Sequence, residues 1–202
     1  MPPRRLPHRA LPVVLLLWAA AAAAGFATLA AYETAPGAAG APPPAWPGGR
    51  VVPAPDGLPV LVVVAHPQCP CTRATVSELE RLMRRVHGRV STHVLFVQPD
   101  GTDEAWVEGD LWRRASAVPG VRTVRDPGGH GARRFGALTS GHALLYDARG
   151  RLRYSGGLTA TRGHEGDNAG RTAVESLLTR GDADLHAAPV YGCPLQQDHP
   201  SS

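Results

Sequence analysis

The chain has 202 residues, of which 43% are hydrophobic: room for one ordinary domain plus an anchor or linker, not for two large cores. Its 23 Gly and 20 Pro follow no fixed period, which excludes a collagen-like chain, and three Cys exclude a disulfide-framework miniprotein. All 21 basic residues are Arg, which excludes lysine Schiff-base chemistry; setting aside Arg4, Arg5 and Arg9 at the tip leaves 18 against 17 acids, with no basic stripe for nucleic acid.

Residues 1–10 form a cationic tip and 11–31 an uncharged apolar run, LPVVLLLWAAAAAAGFATLAA. At a rise of about 1.5 Å per residue, such a run spans one hydrocarbon core. The positive-inside rule keeps the tip in the cytoplasm and sends the chain beyond Tyr32 across the membrane. This reads as a signal anchor. The alternative is a signal peptide cleaved near Thr28-Leu29-Ala30, which would leave an exported soluble domain. Residues 32–57 are rich in Pro, Gly and Ala and read as a linker, and 58–199 as the folded domain.

Within that domain PVLVVVAH (59–66) is a continuous apolar run, the pattern of a buried central strand. Residues 71–88 place Val76, Leu79, Leu82, Met83 and Val86 on one helical face, and Gly88 closes the helix. Next come a strand over 89–99, a helix over 103–118 interrupted at Gly109, a strand over 120–126 and a short helix over 131–136. Residues 142–157 read as a strand, a tight turn and a strand. The last helix covers 167–181, with Asp167 or Asn168 as its N-cap. The order βαβαβαββα implies parallel crossovers and then an antiparallel hairpin.

The first strand runs into HPQCPCT and then a helix. With Pro70 at the first helical position, Cys69 becomes the N-cap. Backbone N–H groups and the helix dipole there lower a thiol pKa from about 8.5 toward about 3.5 to 7.5. Cys69 is the expected nucleophile and Cys71 its natural resolving partner. A disulfide between positions i and i+2 closes a small, strained and easily reduced ring. Cys193, in PVYGCPL, is the alternative resolving thiol. His66 either tunes Cys69 or simply ends the strand, and Arg73 either stabilises a thiolate or is a solvated surface residue. Trp46, Trp106 and Trp112 read as packing or linker residues. A metal alternative also stands: His66, Cys69, Cys71, His164 and Cys193 are ligands suited to copper(I) or zinc.

The element order, together with RDPGGHGARRFGALTSGHALLYDARGRLRYSGG, resembles the thioredoxin-like superfamily over most of residues 58–180. The resemblance implies an α/β thioredoxin-like fold, a central mixed sheet flanked by helices, here preceded by one transmembrane helix. It implies an active site at the strand-to-helix junction, although Cys69-Pro70-Cys71 is one residue shorter than the usual Cys-x-x-Cys. It also implies a cis-proline facing the cysteines, where this sequence has Gly141 between Ser140 and His142. In this fold the loops 66–72, 139–142 and 157–168 open at one edge. Ser140, Gly141, His142, His164 and Glu165 are therefore candidate substrate-loop residues, and Asp167 lies in the same stretch.

HPQCPCTRATVSELERL, RGHEGDNAG and YGCPL together resemble bacterial membrane-anchored thioredoxin-like proteins of the RedB type. That resemblance implies a single-pass inner-membrane protein with its domain in the periplasm, performing thiol–disulfide exchange without an organic cofactor. The implied partner is a periplasmic or membrane protein with paired cysteines. The alternatives are a copper or zinc delivery module and a thiol peroxidase, though His66 stands where a peroxidase has Thr.

Overall fold

The structure is a computed structural model and describes residues 10–38, 40–49 and 51–195. Most of the expected tip, 1–9, and the end of the expected domain, 196–199, lie outside the described residues. The chain divides into two compact units, Met1–Ala35 and Pro36–Ser202.

The first unit contains helix α1, Ala10–Thr34. It carries no charged residue before Glu33, and its apolar side chains, Trp18 and Phe26 among them, are exposed. It is long and apolar enough to cross a membrane.

The second unit is a five-stranded mixed sheet with helices on both faces. Its elements are β1 Val60–Ala65, α2 Pro70–Val86, β2 Ser91–Gln98, α3 Glu104–Val107, α4 Asp110–Ser116 and β3 Val121–Pro127. They continue with α5 His130–Arg134, β4 His142–Tyr146, β5 Leu152–Gly156 and α6 Ala169–Arg180. The strand order is β3-β2-β1-β4-β5. β1 pairs parallel with β2, and β2 with β3, while β4 lies antiparallel between β1 and β5. This is the thioredoxin-like fold expected from the sequence. The helix expected over 103–118 is two helices, because Gly109 takes an extended conformation and caps the second.

Period-two alternation in β1 divides the core. Leu61, Val63 and Ala65 pack with Leu79, Leu82 and Val174 beneath α2 and α6, whereas Val60, Val62 and Val64 face Phe135, Tyr146 and Leu195. Every β1 residue is buried, which is why its sequence shows no polar alternation.

The stretch expected as a linker is attached to the folded body from Gly37 onward. Its backbone bonds include Gly37 N–H to Val190 O (2.8 Å), Trp46 N–H to Gly150 O (2.7 Å) and Leu152 N–H to Pro44 O (2.9 Å). Trp46 packs edge-on against Phe135 and Tyr146, both at 5.2 Å between ring centroids. Its prolines stiffen the segment but leave its carbonyls available as acceptors, and Trp46 supplies the apolar anchor.

Candidate functional site: a cluster of three thiols

β1 delivers the chain to the centre of the sheet's end. After Ala65 it turns, with Cys69 N–H bonded to His66 O (3.1 Å), and α2 begins at Pro70. Cys69 caps the helix in an extended conformation (φ −81°, ψ 117°). Cys69 is buried at 2% residue exposure, while Cys71 and Cys193 are half-buried; all three thiols are free. The Cys193 Sγ lies 2.9 Å from the Cys69 Sγ. The three sulfurs lie within 4.8 Å of one another.

Ser140 organises the surrounding loop. Its Oγ accepts a bond from His66 N–H (2.8 Å) and shares a bond with Thr72 Oγ1 (2.7 Å), and its own N–H donates to Cys193 O (2.8 Å). Gly141 has φ +92° and donates its N–H to Val64 O at 2.8 Å. A Cβ there would stand 2.9 Å from Thr75 Oγ1. Glycine thus makes by left-handed geometry the turn at which the resemblance implies a cis-proline, and no cis peptide occurs among the described residues.

The electrostatics separate the thiols. Burial opposes ionisation of Cys69, but hydrogen bonds from Cys193 and Thr72 outweigh it and hold its pKa below the ordinary thiol value. Burial raises Cys71, the Cys69 charge adds to the rise, and Arg162 opposes both. Burial and the bond to Cys69 push Cys193 up to about 12. The more acidic Cys69 thiol therefore faces, in Cys193, a thiol that remains protonated near neutral pH.

Several candidates from the sequence stand elsewhere. The His66 ring accepts Gln68 N–H at Nδ1 (3.2 Å) and meets Trp106 edge-on (5.5 Å), outside the thiol cluster. Burial lowers its pKa. His142 is buried, with Nε2 bonded to Ser155 Oγ (2.8 Å), and burial lowers its pKa to about 4. His164 is exposed and outside the cluster. Glu165 accepts Ser77 Oγ (2.9 Å) and pairs with Arg81 (3.6 Å), and Asp167 pairs with Arg171 (3.3 Å). Asn168, not Asp167, caps α6 through Arg171 N–H (2.7 Å). Arg73 pairs with Asp110 at the surface (3.0 Å). The five-ligand metal set thus reduces to three cysteines among the described residues.

The loop 157–168 still reaches the site, but through Arg162. Arg162 donates to Gly192 O and acts on Cys71. Neither Arg162 nor Thr72 stands out in the sequence as a site residue. The topology that brings this loop to the cysteines was the available signal, and ligand chemistry drew attention to its histidine instead.

The fold is thioredoxin-like, and it gathers three cysteines at the strand-to-helix junction. No family model and no curated protein matches the sequence. Among solved structures, an uncharacterized conserved protein from Geobacillus kaustophilus is similar at a TM-score of 0.58 and 18% identity, over 84% of this chain and 95% of that one. A hypothetical protein from Sinorhizobium meliloti 1021 is similar at 0.56 and 22%, over 71% of this chain and 82% of that one. The exposed lipoprotein thioredoxin Etrx1 of Streptococcus pneumoniae is similar at 0.45 and 13%, over 61% of this chain and 85% of that one. These likenesses are of fold. The RedB-type resemblance rests on its local strings alone.

Proposed function

We propose that the protein is a membrane-anchored thiol–disulfide oxidoreductase in which Cys69 attacks and Cys193 resolves. The observation that carries this reading is the 2.9 Å separation of their sulfurs at the start of α2. Cys69 thiolate attacks one sulfur of a partner disulfide, and the other sulfur leaves as a thiolate and takes up a proton. Cys193 then gives up its proton and attacks the Cys69 sulfur. The second partner sulfur departs as a thiol, and a Cys69–Cys193 disulfide remains. Two electrons have passed from the protein to its partner; the reverse sequence passes them back. The cationic tip and α1 support a domain outside the cytoplasm, facing periplasmic or membrane proteins with paired cysteines. The test is to oxidise the reduced full chain with glutathione disulfide and map its cysteines. A Cys69–Cys193 disulfide with Cys71 free is expected; a Cys69–Cys71 disulfide would remove Cys193 from the resolving role.

The three sulfurs within 4.8 Å of one another also support a second reading. Cys69, Cys71 and Cys193 would hold a soft ion, and an all-thiol set suits copper(I) better than zinc, which usually takes four protein ligands at a structural site. Anaerobic purification and then metal analysis test this. About one equivalent of metal, with all three thiols protected, would favour metal handling over exchange. The peroxidase alternative gains no support from His66, whose ring engages Gln68 and Trp106.

A further inference from the structure

The segment that carries Cys193 is held to the domain by main-chain hydrogen bonds and two isolated bridges. It first runs along β5: Ser155 N–H bonds His186 O (3.0 Å), Ala188 N–H bonds Ser155 O (3.2 Å) and Gly157 N–H bonds Pro189 O (3.2 Å). It then crosses to the loop before β4 and pairs antiparallel with it. Ser140 N–H bonds Cys193 O (2.8 Å), Leu195 N–H bonds Leu138 O (2.9 Å), and Thr139 lies opposite Pro194.

Two side-chain requirements accompany these main-chain bonds. A Cβ on Gly192 would stand 1.9 Å from Ser140 O, so the position before the cysteine admits hydrogen only. Leu195, two positions after the cysteine, is buried in the core at 4% exposure. Main-chain bonds accept any extended peptide, whereas such steric and apolar positions select among peptides. Leu138, 47% exposed, leaves an apolar side chain open beside this edge.

We infer that the backbone edge of residues 138–140 is the docking strand for an extended, cysteine-bearing segment of a partner protein with the pattern Gly-Cys-x-apolar, and that Pro189–Leu195 is its resident occupant. The inference rests on the exchange reading above and supplies its substrate class. A partner strand enters by displacing the tail and presents its disulfide sulfur to Cys69. Attack forms the Cys69–partner bond and expels the partner's second sulfur as a thiolate. The returning tail takes back the edge and delivers Cys193, whose attack frees the partner strand as a thiol. Resolution and ejection are then one event, with the electrons coming from Cys69 and Cys193.

The test uses the reduced full chain in detergent micelles and two peptides, Ala-Pro-Val-Tyr-Gly-Cys-Pro-Leu and the same sequence with Val in place of Gly. Each carries thionitrobenzoate on its cysteine as a mixed disulfide, so release of the coloured thiolate reports attack. The corresponding glutathione mixed disulfide measures thiol reactivity alone. The Gly peptide is expected to react about tenfold faster than the Val peptide, a gap of the size one steric clash produces. The Gly192→Val chain, whose own tail cannot seat, is expected to react faster still with the Gly peptide. Equal rates for the two peptides on the unaltered chain would overturn the docking strand while leaving exchange intact, whatever becomes of that variant's folding. No release from the glutathione reagent would overturn the exchange reading itself. A disulfide joining Cys69 of one chain to Cys193 of another would give the edge to a second copy and overturn the partner assignment.

Discussion

Cys69 and Cys193 stand 124 positions apart in the chain, yet their sulfur atoms lie 2.9 Å from each other. β1 and the capped start of α2 place the first, and a strand-like tail paired to the loop before β4 places the second. The consequence is a division of labour: the buried thiol is eased toward thiolate by hydrogen bonds, while its neighbour is held protonated.

That division predicts distinct phenotypes for the two resolving candidates. Cys71→Ser retains a reversible disulfide after treatment with glutathione disulfide. Cys193→Ser accumulates the protein–glutathione mixed disulfide, because no thiol stands against the Cys69 sulfur to release it. Intact-mass spectrometry reads both states. Accumulation in Cys71→Ser alone would assign resolution to Cys71.

Arg162 opposes the rise in the Cys71 pKa and also holds the tail carbonyl of Gly192. Arg162→Gln therefore raises the Cys71 pKa further and slows its alkylation by iodoacetamide at about pH 8 by about threefold. The rate-against-pH curve for Cys71 should shift toward higher pH. An unshifted curve would remove Arg162 from the thiol electrostatics.

Gly141 occupies the place of a cis-proline in the resemblance, but proline does not fit this backbone. Its ring fixes φ near −65°, far from +92°, and it cannot supply the N–H bonded to Val64 O. Gly141→Pro is expected to destabilise the chain by about 3 kcal/mol in urea unfolding. Unchanged or higher stability would mean that the loop switches readily to the cis-proline conformation.

Glu78 is wholly buried on α2. It pairs with Arg81 and Arg171, both at 2.8 Å, and accepts Gly166 N–H at 2.7 Å. Arg171 is nearly buried as well, at 9% side-chain exposure. Removing one partner of such a group leaves the other charge uncompensated. Glu78→Ala is expected to cost about 3 to 5 kcal/mol, and to increase amide exchange at Gly166 and Asn168. A loss under about 1 kcal/mol would show the network to be solvated.

His142 sets a pH dependence of known sign. Burial lowers its pKa from 6.5 to about 4, so between those values the unfolded chain binds a proton that the folded chain does not. Stability from this residue is full above about pH 6.5 and falls as pH drops to about 4, by about 3 kcal/mol in all. His142→Gln should flatten the profile by that share in paired urea melts. Identical slopes for the two chains would show that His142 titrates alike in the folded and unfolded chain.

The strand and helix order was legible because β1 is a continuous apolar run and α2 repeats its apolar face at helical spacing. The N-cap place of Cys69 was legible too, since Pro70 fits only the start of a helix. His164 and Glu165 illustrate what was not. Topology correctly brought their loop toward the cysteines, but local hydrogen bonding turned Glu165 to Ser77 and Arg81 and left Arg162 as the residue at the site.

The sequence by itself determined an apolar helix long enough for a membrane, the alternation of strands and helices, and two cysteines at a strand-to-helix junction. These come from short-range periodicity and from the fixed φ of one proline. Only the tertiary structure decided that Gly37, Pro44, Trp46 and Val52 join the folded body and that Cys193, rather than Cys71, stands against Cys69. Both outcomes depend on main-chain hydrogen bonds between distant segments. Every residue except proline offers the same N–H and C=O groups, so such pairings leave no periodic trace in the residues that make them.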